Sequence, residues 1–138
     1  MVGIGGTDRR NTDYLMPGAT AYHDFLTREL VPYVESNYRA DPARRMLSGL
    51  SNGGVFVALA FFMEGAGQFT FQYFFSSEAP VNGARDQINP LESQMFASSS
   101  ARDIGPAFLR GHRGAVHRLA SDSARPAAAR HRAIQAPI

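Results

Sequence analysis

Cysteine, tryptophan and lysine are all missing from this 138-residue chain. Without cysteine there can be no disulfide, no thiolate metal site and no thiol nucleophile. No apolar run reaches 18 residues, so no membrane span is expected. The opening Met1-Val2-Gly3-Ile4-Gly5-Gly6 has neither the basic region nor the long apolar stretch of a signal peptide, which points to a cytoplasmic location. What the chain does have is a 44% apolar and 11% aromatic composition, enough to build one domain core.

With lysine absent, every basic residue is arginine, and the net charge of +2 averages two unlike stretches. Residues 1–96 carry seven Arg against ten Asp plus Glu, a net of −3; residues 97–138 carry seven Arg against Asp103 and Asp122, a net of +5. Eleven alanines fill the second stretch, Phe108 is its single aromatic, and neither helical nor strand periodicity persists in it. Such a composition cannot bury enough apolar surface to offset its ordering entropy. The expected organisation is therefore a domain over residues 1–96 and a poorly ordered Arg/Ala-rich tail over 97–138. The abrupt switch in composition also fits an out-of-frame translation of a GC-rich gene. Interleaved aromatics and a helical arginine stripe are lacking, so a nucleic-acid-binding arm is not expected.

Within the first stretch, residues 2–5 read as the end of a buried strand, and Thr7–Gly18 as a polar loop. Apolar positions Tyr22, Phe25, Leu26, Leu30, Val31, Tyr33, Val34 and Tyr38 mark an amphipathic helix over 19–38, kinked at Pro32 or divided there into two shorter segments. Residues 45–48 read as a short strand, 53–64 as a helix apolar on nearly every side, and 69–76 as an aromatic strand. Ile88, Leu91, Met95 and Phe96 suggest a further helix after Asn89-Pro90. Strands alternating with helices argue for an α/β fold with a mostly parallel sheet and right-handed crossovers.

Gly49-Leu50-Ser51-Asn52-Gly53 fits G-x-S-x-G. That motif needs a sharp turn from strand to helix, a strained serine with its hydroxyl exposed, and small neighbours that let strand and helix approach. Here the strand precedes the motif and the buried helix follows it. A serine in this place also meets the positive end of the helix dipole, which favours developing oxyanion charge. The alternative is a glycine-rich β-to-α turn in some other α/β fold.

Several segments together resemble one family. Val2-Gly3-Ile4-Gly5, Arg9-Arg10-Asn11-Thr12-Asp13-Tyr14, Phe25-Leu26-Thr27-Arg28-Glu29-Leu30-Val31-Pro32-Tyr33-Val34, Tyr38-Arg39-Ala40-Asp41-Pro42 and Gly49-Leu50-Ser51-Asn52-Gly53-Gly54 look like the middle of the α/β-hydrolase branch that holds esterase D, enterochelin esterases and the antigen 85 mycolyltransferases. The resemblance covers residues 2–96. It implies a partial α/β-hydrolase three-layer sandwich, followed by the tail. It implies Ser51 as the nucleophile toward a small-molecule ester, and the Asn52 backbone N–H as one oxyanion-hole donor. The second donor belongs to a loop after a strand that in family members lies upstream of Met1. Arg9, Asp13 and Tyr14 would sit at the rim of the site, or in a merely solvated loop. No cofactor, metal, nucleic acid or membrane partner is implied, and the oligomeric state is left open.

A triad of this type also needs an acid and a histidine after the serine, in the order Ser…Asp/Glu…His. The tail offers Asp103, Asp122, His112, His117 and His131, with no strand pattern to hold them. Glu78 and Asp86 follow the aromatic strand and by position could rim the site, but the triad acid is expected one strand later, so a solvated or structural role is favoured for both. His23 reads as a surface residue. Three functions follow as expectations: a carboxylic-ester hydrolase acting through a Ser51 acyl-enzyme, a catalytically incomplete remnant of one, or an acyltransferase. For this polypeptide as written the remnant is favoured.

Overall fold

The computed structural model describes residues 1–5, 8–65, 67–99, 107–112 and 115–118. A helical turn α1 (Arg10–Asp13) leads into α2 (Gly18–Phe25), a π-helical segment (Leu26–Leu30) and α3 (Val31–Asn37). Strand β1 (Met46–Leu50) runs into α4 (Asn52–Gly65), then β2 (Tyr73–Ser77), a 3-10 turn (Val81–Ala84), α5 (Arg85–Ser99), β3 (Ala107–His112) and β4 (Ala115–Arg118). The sheet has the order β1-β2-β3-β4, with β1, β2 and β3 parallel and β4 antiparallel. This is the α/β architecture with a mostly parallel sheet that the alternation of elements predicts.

The core is built around α4. Its residues Gly54 to Phe62 are all buried, because β1 and β2 cover one side while α2 and α5 flank it. Phe74, fully buried on β2, meets Phe61 at 5.3 Å and Phe71 at 5.9 Å between ring centroids, both edge-on, an orientation that the aromatic quadrupole favours. Ser76 on the same strand donates its hydroxyl to the Gly54 carbonyl at 2.9 Å, so the one polar side chain at this contact is satisfied.

Consecutive parallel strands joined by right-handed crossovers place their helices on a single face. The burial pattern agrees. Phe74 and Ser76 are buried, whereas Met46, Ser48 and Leu50, with Tyr73 beside Met46, are exposed on the opposite face. The described residues thus supply the sheet and one helical layer.

Several elements differ from the sequence expectation. Residues 2–5 are irregular, and Val2 and Ile4 are exposed; an apolar run becomes a strand only when a neighbour takes its backbone groups, and none does so among the described residues. The expected loop at 7–18 contains the helical turn α1. Pro32 does not break the helix: the widened turn over Leu26–Leu30 absorbs the missing donor, and the backbone stays helical on either side. The aromatic strand starts at Tyr73 rather than Phe69, because the N–H groups of Thr70 and Phe71 go to the Glu64 carboxylate. Helix α5 begins at Arg85 and carries Pro90 inside it.

Past residue 96, where no strand period is legible, α5 continues to Ser99 and the backbone forms β3 and β4. Pairing to β2 supplies what the local pattern does not. The remainder of the 97–138 tail lies outside the described residues.

Candidate active site

Ser51 occupies the single turn residue between β1 and α4, is exposed, and has φ 56°. A non-glycine residue in this left-handed region stores strain that the surrounding structure must impose. Three contacts impose it here. The Ser51 N–H donates to the Ser77 carbonyl at 3.0 Å, which fixes the turn to the end of β2, and the Val55 N–H donates back to the Ser51 carbonyl at 3.1 Å, which starts α4. The third is steric. A Cβ on Gly49 would collide with the Gly53 carbonyl, and one on Gly54 would stand 2.8 Å from the Ser77 carbonyl oxygen and 2.9 Å from the Ala79 Cβ. A Cβ on Gly53 would meet nothing within 4 Å. The close approach of strand to helix therefore rests on Gly49 and Gly54, whereas the sequence pattern pointed to Gly49 and Gly53.

Asn52 is the first residue of α4. Its backbone N–H belongs to the helix N-terminus, where donors lack intrahelical partners and the dipole is positive. Its side chain turns to the preceding loop, where Nδ2 donates to Asn11 Oδ1 at 2.8 Å. Asn11 is a residue that sequence reasoning passed over; a bond between positions 41 apart in sequence leaves no local signal.

The rim candidates divide between surface and core. Arg9 pairs with Asp13 at 3.1 Å across one helical turn, with most of the Arg9 side chain exposed. The hydrogen bond to Asp13 raises the Arg9 pKa above its usual value, so its cationic form is reinforced. Tyr14 instead packs its ring against Tyr22 at 5.2 Å and Phe56 at 6.0 Å. Burial is the main cause that pushes the Tyr22 phenol upward, with Tyr14 adding to it. The loop is pinned at its far end by the Met16 N–H, which donates to Gln87 Oε1 at 2.9 Å.

Glu78 follows β2 directly, is exposed, and also sits in the left-handed region at φ 47°. Since Leu50 pairs with Ser77 and Ser77 with Gly111, Ser51 and Glu78 come one step past the ends of β1 and β2, and His112 is the next residue on the adjacent β3. His112 ends β3 and His117 lies on β4; Asp103, Asp122 and His131 lie outside the described residues. Asp86 is exposed in the first turn of α5.

His23 departs from its expected surface place. Its Nε2 lies 2.8 Å from the buried Glu64 Oε1, while Glu64 Oε2 accepts the Thr70 N–H at 2.7 Å. Glu64 is near the end of α4, about 20 Å from Ser51 at the helical rise per residue. This His–Glu pair ties α2 to α4 and the β2 approach. It does not reach Ser51. No group of three or more metal-ligating side chains occurs among the described residues. Likewise, no described helix is long and apolar enough to cross a membrane.

A family model described as "Putative esterase" matches residues 5–125. Solved structures align with the chain as well, three of them as follows. BES protein from Bacillus cereus gives a TM-score of 0.64 at 20% identity, over 81% of this chain and 45% of its own. Siderophore hydrolase EstA from Aspergillus nidulans gives 0.65 at 18% identity, over 98% and 52%. The enterobactin and salmochelin hydrolase IroE gives 0.52 at 21% identity, over 73% and 42%. The chain thus spans about half the length of the solved structures it matches, and likeness at these identities establishes the fold. No curated protein matches the chain.

Proposed function

Because the chain belongs to this esterase family, we propose that it attacks carboxylic esters through a covalent acyl-enzyme on Ser51. One observation carries the assignment to that residue: an exposed serine held at φ 56° between a strand and a buried helix. Such strain has a stability cost and is kept where it presents a reactive group. On this reading Ser51 Oγ adds to the ester carbonyl carbon, and the carbonyl oxygen takes the negative charge. The Asn52 N–H at the start of α4 donates to that oxyanion. The tetrahedral adduct then expels the alcohol, and water releases the acid. An alcohol in place of water would make the same intermediate an acyl donor, which is the transferase variant.

The hydroxyl proton needs an acceptor, and a second reading turns on which group that is. His23 is held by Glu64 at the far end of α4, so it is not that acceptor. A hydrolase that keeps the strained serine without its base would acylate slowly and fail to turn over. Loss of the histidine in a serine triad costs roughly a millionfold in turnover.

Release of p-nitrophenol from p-nitrophenyl acetate, beside Ser51→Ala, separates the readings. Sustained release that disappears in the variant supports the hydrolase. Slow release that stops at one equivalent supports the incomplete enzyme. Equal release by both proteins overturns Ser51 as nucleophile. Two of the similar structures are hydrolases named for siderophores or for enterobactin and salmochelin, so siderophore esters belong in the substrate panel.

A further inference from the structure

We infer that Asn11 is a positioning residue for the Ser51 turn, acting through its hydrogen bond to the Asn52 side chain. The inference rests on Ser51 being the nucleophile. It goes beyond that reading because it assigns a role to a loop residue that lies outside the motif.

Asn52 carries the peptide N–H that follows Ser51, and the direction of that N–H depends on the peptide plane between the two residues. A free asparagine side chain at a helix N-terminus can swing, and the first turn of a helix frays readily. Here Asn52 Nδ2 is fixed on Asn11 Oδ1 at 2.8 Å, which restrains the residue from outside the helix.

The acceptor is itself held on both sides. Asn11 lies inside α1, where the Thr12 and Asp13 N–H groups both donate to the Arg9 carbonyl at 2.8 Å. The Arg9–Asp13 ion pair staples the same turn. Tyr14 roots it against Tyr22 and Phe56, and Phe56 belongs to α4, the helix that Asn52 opens. Gly18 allows the close pass, since a Cβ there would run into the Thr12 carbonyl. The loop and the helix N-terminus are thus locked together at two points, an aromatic one inside and an amide one beside Ser51.

An exposed amide pair adds little to global stability. Its consequence should therefore fall on the reacting geometry, where displacements of about 1 Å can cost a hundredfold in rate.

The test uses the intact chain and an alkyl fluorophosphonate, which phosphonylates an activated serine. The maximal inactivation rate and the half-saturating concentration are measured for wild type, Asn11→Ala, Asn11→Leu and Asn11→Asp, with Ser51→Ala as the labelling control. Trypsin cleavage after Arg9 and Arg10 reports order in the loop itself. Asn11→Ala and Asn11→Leu are expected to lower the maximal rate roughly ten- to hundredfold, as for a misplaced oxyanion donor, with half-saturation unchanged. Cleavage after Arg9 and Arg10 should quicken while the melting temperature holds. Asn11→Asp keeps the acceptor oxygen and should restore both rate and protection. Labelling of Asn11→Ala at the wild-type rate overturns the inference, and so does Asn11→Asp that stays as slow as Asn11→Ala. Wild type labelling no faster than Ser51→Ala sinks the nucleophile reading instead, and the positioning role with it.

Discussion

Ser51 and Glu78 are the described non-glycine residues with positive φ, at 56° and 47°, and each stands one step past a residue of the paired Leu50–Ser77 row. A side chain in the left-handed region costs about 1–2 kcal/mol, and glycine escapes that cost. Ser51→Gly should therefore melt above Ser51→Ala by an amount equivalent to about 1 kcal/mol in urea denaturation. Equal stabilities would mean that the turn is not strained. The neighbouring glycines give a sharper contrast. Gly54→Ala must push a methyl into the Ser77 carbonyl and the Ala79 side chain, and overpacking of this kind costs about 1–3 kcal/mol. Gly53→Ala faces open space inside a helix and should be neutral or stabilising by up to about 1 kcal/mol. Gly53→Ala that destabilises as much as Gly54→Ala would contradict the packing described.

Between elements, the most informative link is the one that closes α3 onto the approaches to β1 and β2. Arg45, just before β1, holds Glu35 of α3 through contacts of 2.6 and 2.9 Å and also donates to the Thr70 carbonyl at 3.1 Å. The hydrogen bond from Arg45 lowers the Glu35 carboxyl below its ordinary value of 4.5. A lowered folded-state pKa contributes stability that is complete above that ordinary value and disappears as pH falls through the folded value. Arg45→Met should accordingly flatten the acid limb of stability below about pH 4.5, read as urea midpoints at pH 3, 4 and 6. An unchanged acid slope would show that the pair carries no linkage.

This scale also shows what the sequence could reveal. The β1–turn–α4 unit was legible because one motif and one all-apolar run coincide there. The helical period of 19–38 was legible too, but its widened turn at Leu26–Leu30 was not, because it depends on how the chain accommodates Pro32. Strand β3 escaped notice because Ala107-Phe108-Leu109-Arg110-Gly111-His112 has no period of two, and its pairing with β2 lends it the strand form. Tyr14 stood among polar loop residues, and only the fold reveals that its ring belongs with Phe56.

For the whole molecule, the telling property is a sheet that the described residues cover on one face only. Met46 is 60% exposed, Leu50 66% and Tyr73 45%, and the register lines up Met46 with Tyr73 on that bare side. Strand β1 is also the edge of the sheet, with no partner beyond it among the described residues. An apolar face next to an open edge invites association, because a second strand satisfies the backbone groups while its side chains cover the face. Charge on an edge strand is one common protection, and β1, Met46-Leu47-Ser48-Gly49-Leu50, carries none. The purified protein is therefore expected to sediment as species larger than a monomer at tens of micromolar, with the distribution shifting on dilution. Met46→Lys with Tyr73→Lys puts two cations at the end of β1–β2 farther from Ser51, where both native side chains are largely solvated and contribute little to the core. The pair should bring the chain to a single monomeric boundary with its melting temperature unchanged. If association persists undiminished, the contact lies elsewhere; if melting falls sharply, that face is already covered from within the chain.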